Sequence, residues 1–153
     1  MSTLHGIGVL LLPLCGWLAG SAVQAASAAH CAALQQTLTM LRRIRQEIRF
    51  RRADLGLLYR QLQREGLLWD RQAENFRALA PLPELQREEQ ACFADCMAGL
   101  GRTAAEQECE RLEDYIARFE AFLQQAQADA RAQAGLPRKL GAAAGTVLAL
   151  VLL

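Results

Sequence analysis

A chain of 153 residues has room for one domain, and a net charge of +1 by itself favours no class of partner. The composition is 52% hydrophobic and 22% charged, with two histidines and no serine beyond Ser27, which leaves little for catalysis. The 17 basic and 16 acidic side chains all fall between Arg42 and Lys139, so two uncharged ends flank a charged middle.

The first end, residues 4–29, reads LHGIGVLLLPLCGWLAGSAVQAASAA. It suits either a retained membrane helix or a cleaved signal peptide. Val23-Gln24-Ala25 offers a small-residue cleavage site, but Met1–Gly6 lacks the cations of a secretory n-region. The nearest cations, Arg42, Arg43 and Arg45, lie downstream, and the positive-inside bias then puts that side in the cytoplasm. A lipoprotein site at Cys15 is the weakest reading, because Pro13 and Leu14 precede it. A retained transmembrane helix over 4–29 is the expectation.

The middle, 31–136, reads as helix almost throughout. Leu34, Leu41, Ile48, Leu55 and Leu62 recur every seven residues, with Leu38, Ile44 and Leu58 widening the stripe. This predicts one amphipathic helix, bent at Gly56 and ending near Gly66. A short segment carrying Trp69, Phe76 and Leu79 on one face follows. The prolines of APLPE (80–84) punctuate the chain, and Pro83 suits the first turn of the next helix.

That helix, from Glu84, carries Leu85, Cys92, Phe93, Cys96, Met97 and Leu100 and stops at GLG, 99–101. Thr103 with Glu106 has capping-box spacing and predicts the start of another helix. Leu112, Ile116, Phe119 and Leu123 form its stripe, and Gly135 and Pro137 interrupt it after about Ala134. No segment alternates with strand period. The expected fold is all-α: a compact helical bundle flanked by amino- and carboxy-terminal transmembrane helices.

The second end, 140–153, is an uninterrupted apolar run preceded by Arg138 and Lys139. As a helix it spans about 21 Å, against a hydrocarbon core of about 30 Å, so an anchor here needs local thinning or snorkelling cations. A buried core helix is the competing reading. With both anchors in place, the chain crosses the cell membrane twice and its central domain, 31–136, is cytoplasmic.

Charge divides between helices. Residues 42–64 hold eight arginines against Glu47 and Asp54, whereas 84–120 hold ten acidic groups against four arginines. The basic stretch can pair with the acidic one, at about 0–1 kcal/mol for each exposed pair. The Arg42–Arg52 cluster can instead meet membrane lipid, at about 1 kcal/mol per cation. Nucleic acid is not expected, since no aromatics interleave and the neighbouring helix is acidic.

Cys31, Cys92, Cys96 and Cys109 would form two disulfides in an oxidising space, or remain thiols in the cytoplasm. Cys92 and Cys96, one turn apart among apolar residues, read as small core residues. The Cys-x-x-x-Cys spacing, with Cys109 and His30 distant, is a poor match to a zinc site. Gly99 and Gly101 lack the lysine of a phosphate loop, and Glu88-Glu89 and Glu113-Asp114 are expected on solvated faces. No catalytic, cofactor-binding or metal-binding residue is assigned, and no small-molecule substrate or cofactor is expected.

Four stretches together resemble the stage III sporulation protein AB family. The entry helix LHGIGVLLLPLCGWLAG (4–20) resembles its first membrane helix, and LTMLRRIRQEIRFRRADLGLLYRQLQREG (38–66) its long first soluble helix. The Leu-Gly turn, Thr cap and closing helix of LGRTAAEQECERLEDYIARFEAFLQQAQADARA (100–132) resemble the corresponding stretch of the family. RKLGAAAGTVLALVLL (138–153) resembles its short final anchor. The resemblance covers nearly the whole chain apart from 67–90.

The resemblance implies a subunit of the transenvelope complex between mother cell and forespore, with a soluble domain similar to the cytoplasmic domain of type II secretion platform proteins of the F family. Its implied partners are the complex's cytoplasmic ATPase, protein AA, and the other membrane subunits. Leu100, Gly101 and Thr103 carry over as structural positions only. The alternatives are a secreted, disulfide-stapled helical protein with a cleaved signal peptide, and a cysteine-based redox or metal-responsive regulator at the membrane.

Overall fold

The computed structural model describes the backbone of residues 2–51 and 54–151, and the side chains of residues 20–50 and 54–134. Four α-helices follow one another: α1 (Ser2–Arg51), α2 (Leu55–Arg64), α3 (Arg87–Gly99) and α4 (Ala105–Val151). A single 3-10 turn, Phe76–Ala78, lies between α2 and α3. The described residues include no strand, and the fold is all-α.

The chain divides into two compact units. One is His30–Gln125; the other joins Met1–Ala29 with Ala126–Leu153. In the first unit α1 contributes Leu34, Leu38, Leu41, Ile44 and Ile48, the stripe that helical periodicity places on one face, all buried. Leu58 and Leu62 of α2, Phe93 and Met97 of α3, and Leu112, Ile116 and Phe119 of α4 complete the core. Thr37 is fully buried on α1, and its hydroxyl is satisfied by the Ala33 carbonyl at 2.9 Å.

The long amphipathic helix expected over 34–64 is two helices. The break falls at Asp54 rather than at Gly56. The Asp54 carboxylate accepts the Gly56 N–H (2.7 Å) and the Leu57 N–H (3.3 Å), which is the bonding of a helix N-cap. Those donors are thereby held by a side chain at the start of α2 instead of by an unbroken helical ladder.

The stretch between α2 and α3 is not a helix, although Phe76 and Leu79 are buried as expected. Gly66 has φ +73°, which turns the chain out of α2. Two aromatic side chains then pin the connection. The Tyr59 hydroxyl donates to the Ala73 carbonyl at 2.8 Å, and its ring meets Phe76 edge-on at 5.1 Å. Trp69 donates its indole N–H to the Ala80 carbonyl at 2.8 Å and packs against Phe93 at 5.6 Å.

Helix α3 starts at Arg87, later than expected, because Pro83 and Glu84 lie inside a turn closed by the Leu85 N–H on the Leu82 carbonyl (3.2 Å). It ends where expected, with Leu100 as its cap and Gly101 at φ +80°. Leu100 is buried. A Cβ on Gly101 would lie 2.4 Å from Leu55 Cδ1, so the Leu-Gly turn packs directly against the start of α2.

Helix α4 begins at Ala105 and continues to Val151, past Gly135 and Pro137. A proline removes one backbone donor, which need not end a helix. Among the described residues no helix is long and apolar enough to cross a membrane. The run 140–153 and most of 4–29, expected as anchors, lie outside the described side chains.

Candidate interaction surface

Two polar clusters tie α3 into the first unit. In the first, His30 of α1 places Nε2 at 3.0 Å from Glu89 Oε1 and 2.8 Å from Oε2. Glu89 Oε2 also accepts the Gln86 N–H at 2.7 Å, the reach-back of a capping box at the start of α3. His30 Nε2 thus lies within hydrogen-bond reach of both oxygens of one carboxyl group. Glu89 is buried at 3% exposure, so of the pair Glu88-Glu89 only Glu88 stands on the solvated face expected. The Gln86-to-Glu89 spacing is the sequence signal that marks it.

The second cluster sits at the other end of α3. Glu108 accepts the Thr103 hydroxyl (2.8 Å) and Arg111 Nη2 (3.0 Å), and the same Arg111 nitrogen donates to the Cys96 carbonyl (3.2 Å). A Cβ on Gly99 would come within 2.3 Å of Arg111 Nη1, so glycine there leaves room for the guanidinium against the helix end. Burial pushes the Glu108 carboxyl up, but the Thr103 hydroxyl and the Arg111 guanidinium outweigh it and hold the carboxyl below its usual value. Thr103 therefore bonds Glu108 rather than forming the expected box with Glu106.

Between α1 and α4 the basic and acidic stretches do pair. Arg42 meets Glu120 at 2.6 Å and Arg45 meets Glu113. Arg43 pairs elsewhere, with Glu47 one turn on in α1 (3.2 Å) and with Glu65 at the end of α2 (3.3 Å). Arg49 instead lies 6.0 Å over the Phe50 ring. Arg51 and Arg52 lie outside the described side chains. Arg60 and Arg64 are exposed on α2.

A groove of about 280 Å³ opens beside these pairs. Ile48, Ala105 and Cys109 give it an apolar lining, and Arg49, Glu106, Glu110 and Glu113 give it charged edges. Phe50, 76% exposed, adjoins it through Arg49, and Leu57 on α2 is 64% exposed. The sequence could not reveal this groove, because it arises only where two helices distant in the chain come side by side. Exposed Phe50 and Leu57 had no place in the predicted stripe, and their absence from it was the available signal.

Cys31, Cys92, Cys96 and Cys109 are free thiols. Cys96 is fully buried, and burial pushes it up to about 12, so it behaves as a small core residue. Burial also raises Cys92, with Arg118 opposing. Among the described residues no group of three or more histidine, cysteine or acidic side chains could hold a metal ion.

Comparison with known proteins adds one finding. No curated protein and no solved structure matches the chain. A family model described as stage III sporulation protein AB matches residues 68–153, more than half of the chain. The match takes in α3, the Leu100-Gly101 turn and α4, and extends over 68–90, the stretch that the four resembling segments leave out. The chain belongs to the stage III sporulation protein AB family.

Proposed function

We propose that this protein is a non-catalytic platform held in the cell membrane by both apolar ends, 4–29 and 140–153, with its helical module, 31–136, in the cytoplasm. There it links the cytoplasmic ATPase of the sporulation complex, protein AA, to the complex's membrane subunits. The observation that carries this reading is continuity. A single helix, α1, contains the first apolar end and the first core stripe, and a single helix, α4, contains the last core stripe and the final apolar run. Helices that carry both a core stripe and a long uncharged stretch suit a module tethered to lipid. Family membership favours a structural role in the same complex.

The groove and the exposed Phe50 give such a module a place to meet other proteins, as exposed apolar surface with a polar rim often does. The test is co-purification of the full chain and the ATPase from detergent-solubilised membranes. Retention of the ATPase on the tagged chain, lost in the variant Phe50→Asp, is the expected result. An ATPase that fractionates independently of the chain under gentle extraction overturns the coupling role.

A further inference from the structure

The groove and the outer face of α2 have complementary chemistry. Leu58, Tyr59 and Leu62 turn α2 inward, which leaves Leu57, Arg60 and Arg64 on its exposed side. Leu57 is a large apolar side chain with no cover, 64% exposed. Arg60 and Arg64 form no ion pair among the described residues, and neither do Glu106 and Glu110 on the groove's edge. Two unmatched cations thus stand on one surface and two unmatched carboxylates on another.

We propose that these surfaces bind each other between two copies of this chain, with α2 of one copy lying antiparallel along the α4 edge of the groove of the other. The spacing supports this direction. Read backwards along α2, Arg64, Arg60 and Leu57 stand at positions 0, 4 and 7; Glu106, Glu110 and Glu113 stand at 0, 4 and 7 along α4. Each set covers roughly 10 Å of one helix face. Antiparallel docking puts Arg64 opposite Glu106 and Arg60 opposite Glu110. Leu57 then faces Glu113, whose charge Arg45 already neutralises within its own chain, so an apolar neighbour there opposes no free carboxylate. A parallel arrangement breaks the spacing and sets Arg64 against the one carboxylate that is already paired. The contact joins unlike faces, so two copies exchange it reciprocally or several close a ring. Neither face uses the polar clusters that hold α3, so the contact needs no rearrangement of the core.

The experiment is sedimentation of the full chain in detergent micelles, with circular dichroism melts to establish that each variant folds. The wild-type chain should show a protein mass of two or more copies that dissociates on dilution and with added salt. E106R/E110R and R60E/R64E should each weaken association by about tenfold or more, because each sets like charges face to face. The combined variant R60E/R64E/E106R/E110R exchanges the two signs and should restore it. A wild-type chain that stays monomeric across the loading range overturns the proposal, as does a combined variant no better than either double. If R60E/R64E abolishes binding to phosphatidylglycerol vesicles while E106R/E110R leaves the mass unchanged, α2 faces lipid and the proposal fails.

Discussion

The contact of α3 with α1 and the contact of α4 with α1 both set nitrogen-bearing side chains of α1 against glutamates, but water reaches them very differently. At the α3 contact the side chains of His30 and Glu89 are 15% and 4% exposed. At the α4 contact those of Arg42 and Glu120 are 57% and 44% exposed. A buried carboxylate has given up its hydration and depends on its partners, so removing one leaves another stranded. An exposed pair exchanges its partner for water at almost no cost. The lesson is that α3 adds buried polar bonds to its apolar packing, whereas the charges between α1 and α4 decorate the outside of an apolar seam.

The largest effect should come from Glu89→Ala, which strands both the Gln86 N–H and His30. A loss of about 2–3 kcal/mol in urea unfolding is expected. A double-mutant cycle with His30→Ala should show strong coupling, and purely additive losses would remove the clip from the account.

Glu108→Gln comes next, at about 1–2 kcal/mol near neutral pH, since it weakens charge-assisted bonds to Thr103 and Arg111. Its pH dependence sharpens the comparison. The Glu108 carboxyl is held below its usual value, so its contribution is complete above the ordinary carboxyl range and is lost as the pH falls through the lowered value. Melting temperatures of wild type and Glu108→Gln should therefore converge in acid. A gap that is constant with pH would mean that shape, not charge, sets the cost.

The smallest effect is expected at Arg42→Ala, at most about 0.5 kcal/mol and smaller still in high salt. A loss matching that of Glu89→Ala would erase the distinction between the two contacts.

Much of the module is legible in its sequence. The stripe Leu34, Leu38, Leu41, Ile44 and Ile48 is buried as its spacing requires, and so are Leu112, Ile116 and Phe119. These positions follow from helical period alone. The pairing of basic with acidic stretches was also legible, in Arg42 with Glu120 and Arg45 with Glu113. What the period did not resolve was where helices start. At α2 the start is set by Asp54, which caps two orphan backbone donors, and at α3 by the Gln86 N–H bonding the Glu89 carboxylate. Between residues 65 and 86 the only helical turn among the described residues is Phe76–Ala78, because the order of this stretch comes from Tyr59 and Trp69 reaching distant carbonyls. The groove was invisible for the same reason: Ile48 and Cys109 become neighbours only in three dimensions.

The central claim, that lipid holds both ends while the helical module faces the cell interior, is tested most directly by protease protection in intact protoplasts combined with carbonate extraction of membranes. The account predicts a chain that still begins at Met1, resists carbonate, and keeps residues 31–136 uncut until the protoplasts are lysed. A module cleaved from outside, or a released chain whose first residue lies near Ala26, would contradict it.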